Sequence, residues 1–173
     1  MTMKIHYPLA LVALLAGGAD SLAAEAGQDL VPGLFPRTPF QFTAHGEFVA
    51  GSMSNEVTLE VPSGKRLVIE TVTTKVEVPA DHQVTSVTVR TDVGGVTAWH
   101  EIPVSKGATF TSAFKNKLNL YGGAEQVRLY ADPGSTVSIM AHRDVDVCPP
   151  LCGSSMVYIS GYLISEYSPS LAP

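Results

Sequence analysis

Several residue types are scarce in this 173-residue chain, and each scarcity narrows what it can do. There are two cysteines and one tryptophan, and charged residues make up only 16%. Two cysteines are too few for a disulfide-dense scaffold or a four-thiolate zinc site. Basic residues are also few: 11 Lys and Arg stand against 16 Asp and Glu, for a net charge of −5. Phosphate backbones demand a basic face, so the balance argues against nucleic acid as a partner. It argues equally against electrostatic docking on anionic lipid. The chain has no G-x-S-x-G elbow, no H-E-x-x-H pair and no D-x-D-x-D-G loop. The usual signatures of a serine hydrolase, a zinc peptidase and a calcium loop are therefore missing. Nothing in the chain calls for a cofactor.

The first residues carry the clearest signal that is present. Lys4 supplies a positive start, Leu9 to Ala16 form an uncharged apolar run, and Gly17-Gly18 break it. Ser21-Leu22-Ala23 then places small residues at the −3 and −1 positions of a signal-peptidase site. The run is far shorter than the roughly 20 residues needed to span a bilayer. The expectation is a secretory signal peptide over 1–23, with cleavage after Ala24 or Ala26 as alternatives. No cysteine lies at this site for lipid attachment, and no second long apolar run follows. Cleavage after Ala23 removes one base, Lys4, and one acid, Asp20, so 10 bases remain against 15 acids. The expected location is periplasmic or extracellular, with no membrane span after cleavage.

Both cysteines fall in the run Cys148-Pro149-Pro150-Leu151-Cys152. An exported chain meets an oxidising environment, so a Cys148–Cys152 disulfide is expected. The three-residue spacing departs from the two-residue spacing of thioredoxin-like redox pairs. Such a short loop contributes little global stability and acts locally, fixing a Pro-rich turn.

Beyond a lead-in over 24–39 that carries Gly33, Pro36 and Pro39, period-two alternation dominates. Val57, Leu59 and Val61 alternate with Glu56, Thr58 and Glu60, which marks a strand with one buried face. Similar strands are predicted over 66–78, 84–91, 96–104, 126–131, 136–143 and 156–165. The stretch 108–121 reads as one long strand or two short ones, ended by Gly122-Gly123. Pro62-Ser63-Gly64-Lys65, Gly94-Gly95 and Asp132-Pro133-Gly134-Ser135 supply turns. With no amphipathic helix legible, the fold class is all-β. It is an antiparallel β-sandwich of about eight to ten strands over 40–168, jelly-roll-like or another Greek key, with a tail over 169–173.

Three stretches also resemble a group of small exported bacterial β-sandwich proteins with no known activity. They are Val61-Pro62-Ser63-Gly64-Lys65-Arg66-Leu67-Val68-Ile69-Glu70, Val127-Arg128-Leu129-Tyr130-Ala131-Asp132-Pro133-Gly134 and Ser160-Gly161-Tyr162-Leu163. The resemblance covers most of the chain after the leader. It implies an exported sandwich and no catalytic residue.

The candidate chemistry is sparse. Trp99 and Glu101 share one face of a strand with His100 opposite. An aromatic ring beside an acid suits sugar stacking, while a core tryptophan beside an edge acid is the plainer reading. Tyr158 and Tyr162, with Tyr121, Tyr130 and Tyr167, enrich the second half in tyrosine, which suits either a binding face or cross-strand packing. Asp144 and Asp146 are weak metal candidates, and Asp81, Asp92 and Asp132 read as turn residues. His45, His82, His100 and His142 are never closer than 18 positions and read as scattered surface residues. The expected function is a non-catalytic exported module that binds a glycan or an envelope component, or assembles with itself. The alternative is a small carbohydrate-active hydrolase or carbohydrate-binding module.

Overall fold

The computed structural model describes residues 36–147 and 152–165. The expected leader, most of the lead-in, Cys148, Tyr167 and the 169–173 tail lie outside those residues. The described residues belong to one compact unit and form nine strands in chain order. These are β1 (Arg37–Glu47), β2 (Ser54–Glu60), β3 (Lys65–Pro79), β4 (Val84–Val93), β5 (Val96–Glu101), β6 (Ser105–Thr111), β7 (Lys117–Ala131), β8 (Thr136–Arg143) and β9 (Ser154–Ser165).

Pairing follows a nested pattern. β1 pairs with β9, β2 with β8, β3 with β7 and β4 with β5, all antiparallel. The chain is thus one long hairpin, with β4 and β5 at its tip and β1 and β9 at its open end. Successive pairs go to alternate sheets. The five-stranded sheet runs β1-β9-β3-β7-β6 and the four-stranded sheet runs β2-β8-β4-β5. A hairpin wrapped in this way is a jelly roll, here with β6 added at one edge.

Alternation determines what lies between the sheets. Val72, Val76 and Val78 of β3 and Val157 and Ile159 of β9 meet Leu59, Val87, Val89, Val137 and Ile139 from the four-stranded sheet. Phe48 and Ile102, from connections, complete this cluster. The inward positions that alternation predicts all lie in the buried interior: Val57, Leu59 and Val61; Val72, Thr74, Val76 and Val78; Val87 and Val89; and Val137, Ile139 and Ala141. Val127 and Leu129 pack against it while partly buried.

Three boundaries differ from the alternation pattern, and the 108–121 stretch takes the second of its two expected forms, two strands. β1 begins at Arg37 and contains Pro39, so the irregular lead-in ends earlier than 39; an edge strand tolerates the missing N–H. The strand predicted over 96–104 stops at Glu101, because Ile102-Pro103-Val104 carries the chain to the other sheet. The 108–121 stretch is divided by a turn at Ser112–Asn116, where Lys115 adopts a φ of 63°. Gly122-Gly123 does not break β7, which runs through both. The second glycine answers a close approach, since a Cβ there would run into the Pro103 carbonyl.

Candidate functional site

The outward rows of the five-stranded sheet follow from its register. One row sets Thr43, Tyr158, Thr73 and Ala124 side by side, and the next sets Gln41, Ser160, Thr71 and Gln126. Adjacent strands are about 4.8 Å apart and same-face neighbours along a strand about 6.8 Å apart, which gives a flat lattice of hydroxyls and amides. A shallow hollow of about 220 Å³ lies here, lined by Gln41, Phe42, Thr43, Thr71, Thr73, Tyr158, Ile159 and Ser160. Among the described residues no Asp, Glu, His, Lys or Arg lines it. Tyr158 is 41% exposed, and its hydroxyl donates to the Met156 sulfur two residues back, so the ring leans along the sheet.

Beyond a register shift between Ile69 and Thr71, the face continues as Pro39, Tyr162, Val68 and Tyr130. Leu67 and Ile69 turn into the core, which leaves Val68 on the outer side, covered between the two tyrosines. The Arg37 guanidinium sits 4.6 Å from the Tyr162 ring centroid, within cation–π range. Tyr130 is 40% exposed, whereas Tyr121 is buried in the core. Tyr158, Tyr162 and Tyr130 therefore share one face. The neighbouring Gln41, Thr43, Thr71 and Thr73 escaped the sequence reading, because an outward threonine in a strand carries no signal until register places it beside an aromatic ring.

Trp99 and Glu101 lie elsewhere. They belong to β5, at the edge of the other sheet, and are not brought together with Tyr158 and Tyr162. Trp99 is 56% exposed, which overturns its reading as a core residue. An edge strand has a neighbour on one side only, so its outward ring is left uncovered. His100 points the other way and its Nε2 lies 3.1 Å from Glu125 Oε2, linking β5 to β7.

The metal candidates are engaged in structure. Asp144 accepts the Gln83 backbone N–H at 2.8 Å. Both Asp144 and Asp146 flank Arg143, which is 2% exposed. The Arg143 guanidinium donates to the carbonyls of Ser52 at 2.8 Å, Cys152 at 2.6 Å, Val49 at 3.1 Å and Asp146 at 3.3 Å, and it lies over the Phe48 ring. Burial pushes its pKa down, and the carboxylates of Asp146 and Asp144 pull it back up. Among the described residues no group of three His, Cys, Asp or Glu side chains converges as a metal site. Asp132, at the turn after β7, receives the Gly94 N–H and pairs with Arg66; Asp92 is not a turn residue but lies in β4, where it receives the hydroxyl of its cross-strand partner Thr97. His82 is buried, not a surface residue: it sits in the turn after β3, where the Asn119 carboxamide bonds the carbonyls of Ala80 and His82.

No described cysteine is a free thiol. No helix among the described residues is long and apolar enough to cross a membrane. No protein-family model matches the chain, and no curated protein matches it either.

Proposed function

We propose that this is an exported, non-catalytic binding module whose five-stranded face takes a neutral glycan. The observation that carries the reading is the lining of the hollow, an exposed tyrosine ring among threonine, serine and glutamine with no carboxylate, amine, imidazole or guanidinium among the described lining residues. Ring faces cover the C–H side of a sugar while hydroxyls and amides exchange hydrogen bonds with its rim. The absence of charge at the hollow disfavours phosphate, sulfate or amine ligands. It also leaves the hollow without the two facing carboxyl groups that glycosidic cleavage needs. Export is supported by the three-part leader over 1–23 and by the cysteine pair. We take Cys152 to bond Cys148 across Pro149-Pro150-Leu151, a bond that persists in the periplasm or outside the cell.

The test is depletion from solution by insoluble neutral polysaccharides. Replacing Tyr158 by Ala is expected to weaken capture about tenfold, a loss of about 1.4 kcal/mol. Trp99→Ala, on the other sheet, is expected to leave it unchanged. Equal capture of the parent and Tyr158→Ala proteins would remove this face from the reading.

One observation favours a second reading, a small hydrolase. Glu47 and Glu77 flank Ser154 on the same sheet and line a hollow of about 350 Å³ with His45. Glu77 is already bonded to Lys75 at 2.6 Å, which places it poorly for proton transfer to a ligand. Hydrolysis lost in Glu47→Gln would establish that reading over the first.

A further inference from the structure

We propose that the free edge of β5 pairs antiparallel with β5 of a second copy of this chain, joining the two four-stranded sheets into one. The inference rests on backbone geometry and is independent of the glycan reading. Gly94 and Gly95 have φ of 58° and 76°, the signature of a two-residue type I′ hairpin. Val93 and Val96 close that hairpin, so Val96, Ala98 and His100 direct their backbone groups towards β4. The Ile102 N–H, bonded to the Val87 carbonyl at 2.8 Å, continues the same parity. Thr97, Trp99 and Glu101 therefore aim their N–H and C=O groups away from the sheet, where no described strand receives them.

Exposed edges invite pairing, and proteins blunt them with proline, lysine, bulges or repelling charges. The other three edges among the described strands carry such devices. β1 contains Pro39. β6 contains Lys106 and a register shift between Lys106 and Thr109. In β2, an antiparallel self-pairing about Thr58 would set Glu56 against Glu60. β5 has no proline, no lysine and no register shift, and it leaves Val96 67% and Trp99 56% exposed.

The pattern of β5 complements itself. Centred on Trp99, a two-fold antiparallel pair sets Trp99 across from Trp99 of the partner copy, each receiving the other's N–H. Thr97 then stands across from Glu101 of the partner copy. No like charges meet, and the aromatic pair gains cross-strand contact. The contact is isologous, so it closes at two copies and does not propagate.

Trp99 is the chain's one tryptophan, so its emission reports this contact directly. The chain, as it accumulates when expressed with its own N-terminal segment, is taken through sedimentation equilibrium and fluorescence over a range of concentrations. The mass is expected to double, with the emission maximum moving to shorter wavelength over the same range. Thr97→Pro removes a free-edge N–H together with the Thr97 hydroxyl bond to Asp92 on the same hairpin, and Trp99→Lys places a charge at the centre with that bond left intact. Each is expected to weaken the dimer at least tenfold with little change in melting temperature. A wild-type chain that stays monomeric to about 1 mM would overturn the proposal. So would a dimer that persists unweakened in both variants.

Discussion

At the scale of single residues, the most consequential side chain is Arg143. It ends β8 and gathers carbonyls from the β1–β2 connection, the segment after β8 and the start of the approach to β9. An arginine stays ionised even when buried, so its fork continues to satisfy these acceptors. Arg143→Met keeps much of the volume but takes the donors from several part-buried carbonyls, which are costly to leave unpaired. The expected loss is about 3 kcal/mol, read as a lower denaturant midpoint. Sequence alone pointed to the neighbours, Asp144 and Asp146, as possible ligands. Arg143 carried no such signal, because the carbonyls it bonds among the described residues come from segments up to 94 positions away. Gly161 shows the same limit: a Cβ there would run into the Val68 carbonyl, a constraint visible only once β9 lies against β3.

At the scale of elements, alternation was legible wherever one face is buried. The runs at Glu56–Val61, Val84–Thr91 and Thr136–Arg143 became β2, β4 and β8 with the expected inward residues. Alternation misled where glycine serves a close approach, as at Gly123, and where the chain changes sheets at Ile102-Pro103. Trp99 misled for a related reason. A strand pattern says which residues share a face but not which face meets the core, and Trp99 lies opposite the inward His100. The β8–β9 connection yields a prediction at this scale. The proposed Cys148–Cys152 bond closes a very short loop, so its contribution is local and at most about 2 kcal/mol. Reductant is therefore expected to lower the melting temperature by no more than roughly 4–8 °C, without abolishing the fold. On the proposed export, the intact mass of the accumulated protein is expected to match a chain that begins at Ala24 and is two hydrogens short of the reduced form. A mass equal to the reduced chain would contradict the bond.

At the scale of the whole molecule, the nested pairing of β1 to β9 converts a linear series of strands into two faces with different chemistry. The jelly roll was among the arrangements that the turn spacing allowed, but strand order depends on contacts between the ends of the chain and is not written in any local pattern. The candidate face was half legible. Tyr158 and Tyr162 stood out by type, whereas their threonine and glutamine neighbours come from β1, β3 and β7 and meet only through register. The binding claim is tested most directly by the melting temperature of the protein titrated with neutral polysaccharides, against anionic ones and divalent metals. A ligand selective for the folded state stabilises it by about 2.7 kcal/mol at a hundredfold excess over Kd, or roughly 5–10 °C for a chain of this size. The expected result is a dose-dependent rise with a neutral polysaccharide that vanishes in Tyr158→Ala. A rise only with anionic polymers or metals, or one that Tyr158→Ala leaves intact, would contradict the assignment of the five-stranded face as a neutral-glycan site.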